Sequence, residues 1–214
     1  GIPIFMLHGW PSDHRHMVES FEPLFQQRSG WRRIYPDLPG MGKTPAASWI
    51  TNQDQMLEIL MAFIQQVVSD QRYVVAGSSY GGYLARGLVH RHGAKMDGVF
   101  LIVPAVETDE AKQHLPQPQV LVEDPQFLAE LKPEEAGLSR MVVVQSVERL
   151  RFFRTYFQPA FAAADHAFLE RLKNHYAFSF PVDQLTTPFP GPALILTGRQ
   201  DSTCGYRDAW TLLD

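Results

Sequence analysis

The stretch VVAGSSYGG, residues 74–82, drives an apolar run into two serines wrapped in glycine and then resumes as a helix-like segment. Gly77, Ser79 and Gly81 fit the pattern G-x-S-x-G in the context it requires, a strand before and a helix after. Such a turn lifts the Ser79 hydroxyl clear of the sheet at the cost of backbone strain. Gly77, Gly81 and Gly82 let neighbouring backbone come close. Taken alone, five residues with two free positions also describe a glycine-rich turn with an inert serine, so the choice rests on the rest of the chain.

Outward from this turn, the same design recurs. Residues 2–7, 73–77, 98–103 and 193–198 are short, continuous apolar runs, and 31–35 is a weaker member of the set. Runs without alternation suit strands covered on both faces, as in a parallel sheet. Met56, Leu57, Leu60, Met61, Ile64, Val67 and Val68 recur at helical spacing behind a Thr51/Asn52 cap. The alternation predicts an α/β fold with a mostly parallel sheet. From 104 to 190 the strand rhythm stops, and helices are expected over 125–131, 142–157 and 165–176. Residues 1–103 and 191–214 then form the core, and 104–190 an inserted helical lid over the carboxyl ends of the strands, where open α/β sheets bind ligands. Ten aromatics between Phe127 and Phe180 furnish that segment's own core and point to a medium-sized, largely apolar small-molecule substrate.

Composition narrows the function classes. The 214 residues suit one domain with an insertion, and 45% apolar with 20% charged residues is ordinary for a globular protein. No uncharged apolar stretch is long enough to span a bilayer. A net charge of −4, with both signs mixed along the chain, gives no electrostatic case for nucleic acid or an anionic membrane. Cys204 is the only cysteine, which excludes an internal disulfide and any multi-cysteine metal site and fits a reducing, cytoplasmic location.

Two further strand ends carry chemistry. His8-Gly9-Trp10-Pro11 follows the first strand, where the loop can aim a backbone N–H at the same spot as that of Tyr80, a pair suited to a developing oxyanion. Gly198-Arg199-Gln200-Asp201 follows the last strand and sets a carboxylate at its end. With HGW at 8–10, DLPGMGKT at 37–44, GSSYGG at 77–82 and LILTGRQD at 194–201, in that order, nearly the whole chain resembles the α/β-hydrolase superfamily, and specifically its lidded esterases and peptidase-like members. The resemblance implies Ser79 as nucleophile, Asp201 as the acid of a Ser-His-Asp triad, Trp10 and Tyr80 as oxyanion donors, His8 and Gly9 as parts of the oxyanion loop, and no cofactor or metal. It implies cleavage of a carboxylic ester or related acyl bond. Serine at the elbow argues against the aspartate chemistry of epoxide hydrolases and dehalogenases, although HGWP resembles the former's oxyanion loop. Carboxylesterase, proline iminopeptidase and C–C bond hydrolase remain open, as does a non-catalytic ligand-binding or receptor protein on the same fold.

The family order is Ser, Asp, then His, and no histidine follows Asp201 here. Each of the eight present has another explanation: His8 shapes the oxyanion loop, His14 and His16 follow it, His90 and His92 close a helix, and His114, His166 and His175 lie in the inserted segment. The resemblance therefore implies a longer protein, with two strands before residue 2 and a strand and a histidine-bearing loop after Asp214.

Overall fold

Strand β1 (Ile2–Leu7) sends Ile4 and Met6 to one side and Phe5 and Leu7 to the other, and all four are buried. A strand apolar on both faces must be roofed by helices on each side. The computed structural model, which describes residues 1–213, supplies them. Helix α1 (His14–Phe25) lays Met17 and Phe21 over Ile4 and Met6. After β2 (Trp31–Ile34), helix α2 (Gln53–Val68) brings Met56, Leu57, Leu60 and Ile64 to the opposite face. Strand β3 (Tyr73–Ser78) then feeds α3 (Tyr80–His92), whose Leu84 and Leu88 join that second core.

Strands β4 (Met96–Ile102) and β5 (Ala193–Leu196) complete a five-stranded sheet of order β2-β1-β3-β4-β5, parallel at every pairing. The sheet grows one way from β1 to β2 and the other way from β3 onward, so the direction of winding reverses between β1 and β3. At such a reversal the loops leaving the two strands diverge and open a crevice at their carboxyl ends. Leu7 pairs with Gly77 across this gap, which sets the HGWP loop beside the serine turn.

Local chemistry fixes where the helices begin. Asp13 caps α1 by accepting the Arg15 N–H, and Asn52 caps α2 by accepting the Gln55 N–H at 3.0 Å. The expected start at Thr51/Asn52 is thus a real cap. By contrast, α3 starts with no side-chain cap, directly after Ser79.

Between β4 and β5 the chain is helical: α4 (Pro125–Glu130), α5 (Leu138–Met141), α6 (Val147–Phe152), a π-turn at Phe153–Phe157, α7 (Gln158–Ala163) and α8 (His166–Lys173). One helix over 142–157 was the expectation, and the chain departs from it. Val142–Val144 is not helical: Val142 is extended, Val143 bends and Val144 is bridged to Val122, and three successive β-branched residues lower the helical preference there. The helix begins only after Ser146, which caps it, and continues through the π-turn to Ala163. Helix α8, capped by Asp165, stops at Lys173, short of 176, which frees Tyr176 to pack against the sheet's end.

The first residues of this segment are tied to the serine turn. Val103 has φ 40, a conformation that a β-branched side chain disfavours, and its N–H donates to the Leu196 carbonyl at 2.7 Å. Two residues on, the Ala105 N–H donates to the Ser79 carbonyl at 3.1 Å.

Candidate active site

Ser79 occupies the link between β3 and α3 with φ 51 and ψ −112. Its N–H donates to Ile102 O at 2.9 Å, and its carbonyl accepts the amides of Tyr83 and Ala105, each at 3.1 Å. Three backbone bonds therefore hold a conformation that an L-residue adopts only under constraint. The next turn of chain must pass so close to β1 that a Cβ on Gly81 would collide with the Leu7 carbonyl oxygen. Only glycine fits there.

The HGWP loop lies against the serine side chain. A Cβ on Gly9 would stand 3.3 Å from Ser79 Cβ and 3.9 Å from its Oγ. His8 fixes the loop's path from beneath. Fully buried, its Nε2 accepts the Leu38 N–H at 3.0 Å while its Nδ1 donates to the Gly9 carbonyl at 2.8 Å. Because an amide can only donate and a carbonyl only accept, the ring is neutral and held in one tautomer. Burial accordingly pushes its pKa below the ordinary value, against the opposing Gly9 hydrogen bond. Trp10 follows, and its N–H makes no hydrogen bond among the described residues. Its indole packs edge-on to Tyr80 at 5.0 Å and to Tyr176 at 6.0 Å between ring centres. Tyr80 is anchored in turn, its phenol donating to Gln53 Oε1 at 2.5 Å. Burial raises that phenol well above its usual pKa, so it stays protonated. As the first residue of α3, Tyr80 has a main-chain N–H with no partner inside the helix.

The loop after β5 arrives from the other side. Asp201 is half-buried, and its Oδ1 accepts the amides of Thr203 at 2.8 Å and Cys204 at 2.9 Å. That turn carries Cys204 inward until its Sγ is 3.6 Å from Ser79 Oγ. The thiol is 8% exposed. Burial pushes its pKa up to about 11, a Ser79 hydrogen bond pulling the other way and the Asp201 charge adding to the rise. A thiol in that state is not a nucleophile at neutral pH.

The fold thus gathers Ser79, Tyr80, Gly9, Trp10 and the Asp201–Cys204 turn at the carboxyl ends of β1, β3 and β5. Cys204 as the direct neighbour of Ser79 Oγ was missed by sequence reasoning, which weighed it only as a redox indicator. Its position three residues after Asp201, in a turn closed by that carboxylate, was the available signal. Among the described residues no histidine lies within hydrogen-bond distance of Ser79 Oγ. His14 pairs with Asp37 at 2.8 Å, His16 with Ser12 Oγ at 2.8 Å, His90 with Val182 O at 3.2 Å and His114 with Asp208 at 2.7 Å, while His166 bonds Phe161 O at 2.8 Å. Asp13, His14 and Asp37 offer ligand atoms within 4.8 Å of one another. Arg15 already takes Asp13, and the amides of His14 and Lys43 take Asp37. No helix among the described residues is long and apolar enough to cross a membrane.

Comparison with known proteins gives a consistent picture. A family model described as the alpha/beta hydrolase fold matches residues 2–137. An AB hydrolase superfamily protein, YisY, of Bacillus subtilis strain 168 is 32% identical over 106 residues, which take in 49% of this chain and 38% of that relative's length. The crystal structure of an alpha/beta superfamily hydrolase from Oenococcus oeni PSU-1 superposes on 100% of this chain and 79% of its own, with a TM-score of 0.90 at 30% identity. The esterase EaEST from Exiguobacterium antarcticum shares the fold at 20% identity, with a TM-score of 0.68 over 99% of this chain and 79% of its own.

Proposed function

The chain belongs to the α/β-hydrolase family, and on that premise we propose that it is a serine hydrolase cleaving a carboxylic ester or related acyl bond. The carrying observation is Ser79 held at φ 51 where β1 and β3 diverge, with the Gly9–Trp10 backbone on one side and the Asp201 turn on the other.

In this reading Ser79 Oγ attacks the acyl carbonyl carbon and gives up its proton to a histidine that follows Asp201 in the family order, beyond residue 214. Asp201 orients that imidazole through Oδ2, since Oδ1 is committed to the amides of Thr203 and Cys204. The negative charge that gathers on the carbonyl oxygen is met by the N–H groups of Trp10 and Tyr80, each worth roughly 10² to 10³ in rate. The histidine returns its proton to the leaving alcohol or amine, the acyl-serine forms, and water attacking by the same route releases the acid. Residues 104–190 act as the lid. The rings of Trp10, Tyr80 and Tyr176 suit a medium-sized, largely apolar substrate. A cytoplasmic location keeps the buried Cys204 reduced.

A second reading is a ligand-binding protein that kept the fold without turnover. It is favoured by Cys204, the side chain that bonds Ser79 Oγ among the described residues. Fluorophosphonate labelling of the intact protein separates the two. Stoichiometric labelling that disappears in Ser79→Ala, with turnover falling on the order of 10⁶-fold, supports the hydrolase; absence of labelling supports the binding protein.

A further inference from the structure

Arg86 sits seven residues after Ser79 on helix α3, and its side chain is 6% exposed. Its Nη1 donates to the carbonyls of Ala105 at 2.7 Å and Val106 at 3.3 Å. Its Nε donates to Asp183 Oδ1 at 2.9 Å, and its Nη2 to Asp183 Oδ2. The guanidinium also lies over the Tyr83 ring at 5.6 Å, and the Tyr83 hydroxyl accepts the Phe178 N–H at 2.6 Å. A single planar group thus fastens both stems of the 104–190 segment, the outgoing at 105–106 and the returning at 183, to the helix that Ser79 begins. A fork of fixed donors is suited to this; a lysine would reach fewer partners.

The outgoing stem is under tension and touches the serine. Val103 is strained at φ 40, and two residues later the Ala105 N–H bonds the Ser79 carbonyl. The carbonyl of that same Ala105 is the one Arg86 holds. We infer that Arg86 is a positioning residue: by pinning Ala105 it maintains the bond that keeps Ser79 in its left-handed conformation, so the attitude of the nucleophile and the seating of the helical segment are one mechanical unit. The inference rests on the serine-hydrolase reading for its consequence in rate, but not for its structural content.

The test compares Arg86→Met with Arg154→Met in the intact protein. Arg154 pairs with Glu135 at 2.6 Å within the helical segment, so its loss controls for removal of an arginine ion pair that does not touch either stem. Both variants are assayed for the rate constant of fluorophosphonate labelling, well below their urea midpoints, and for hydrogen exchange at the Ala105 amide. Arg86→Met is expected to label about 10²-fold more slowly, the scale of an ångström of misplacement at a reacting atom, with Ala105 exchange accelerated, while Arg154→Met labels at the parent rate. Asp183→Asn, which loosens one stem only, is expected to lie between and serves if Arg86→Met fails to fold. Labelling of Arg86→Met or Asp183→Asn at the parent rate overturns the inference. Should the parent itself take no label, the hydrolase reading fails and the exchange measurement still decides: an Ala105 amide as protected in Arg86→Met as in the parent refutes the positioning role, and a deprotected one sustains it.

Discussion

The serine turn and the helical segment between β4 and β5 are built on different terms. Around Ser79 the chain is held by backbone against backbone, with Gly81 so near Leu7 that no side chain fits and Ser79 itself bonded at both its N–H and its carbonyl. In the helical segment, side chains do the joining. Gly137, at the start of α5, has nothing within 4 Å of where a Cβ would stand, and Glu135 and Arg154 clip neighbouring turns through an ion pair. The first arrangement leaves no space for a side chain at Gly81. The second leaves room for a larger side chain at a position such as Gly137.

Substitution can break this contrast at its stiff end first. Gly81→Ala is expected to lose more than about 4 kcal/mol or to prevent folding, because the obstructing atom is backbone that cannot rotate away; a urea midpoint within experimental error of the parent would contradict the account.

Acid provides the next largest effect. His16 is buried beside Ser12, its ring centre 5.1 Å from that of Phe157 at a tilt of 31°. Burial, reinforced by the nearby His8, lowers its pKa from 6.5 to about 4 despite the Asp13 carbonyl. A histidine whose folded value is depressed binds fewer protons in the native state, so its stabilisation is complete above about pH 6.5 and is lost as pH falls towards 4. The expected loss is on the order of 3 kcal/mol, and urea midpoints of the parent against His16→Phe at pH 7 and pH 4.5 should show the slope flattened in the variant. His8, shifted the same way, keeps part of it. The helical segment has a separate, more acidic window. Arg154 holds Glu135 at about 2 against an ordinary 4.5, outweighing burial, so that contribution survives to pH 4.5 and declines only below it.

Tyr80→Phe comes third, at about 2 kcal/mol, since it leaves the buried Gln53 Oε1 without the phenol that satisfies it. Gly137→Ala is the smallest. At φ −60 and ψ −29 alanine fits without strain, and a gain of about 0.5 kcal/mol is expected from the stiffer unfolded chain; a loss above 1 kcal/mol would show that the segment is packed like the serine turn.

The same contrast governs what the sequence made legible. The α/β class, the five strands and the turn at Ser79 could be read because apolar runs and glycines answer to local rules, and those rules are strict where the backbone is crowded. The helical segment yielded less. An apolar periodicity over 142–157 looked like one helix, but Val144 bridges to Val122 and the Val143 carbonyl accepts the Val122 N–H, a long-range contact that periodicity does not encode. Arg86, which joins three distant stretches, was equally invisible, because a helix arginine carries no sequence mark of being buried. Cys204 fell between: its loop was recognised through Asp201, but not its approach to Ser79, which depends on how tightly the carboxylate closes the turn.

The rings around Trp10 give this molecule an optical gauge. Two of its tyrosine neighbours come from different regions, Tyr80 from the serine turn and Tyr176 from the helical segment, both with centres within 6.0 Å of the indole. If residues 104–190 act as the proposed lid, opening removes one wall of the indole's enclosure and water takes its place, shifting the emission to longer wavelength. With Trp31, Trp49 and Trp210 replaced by phenylalanine, the colour of the remaining light would follow the opening in real time.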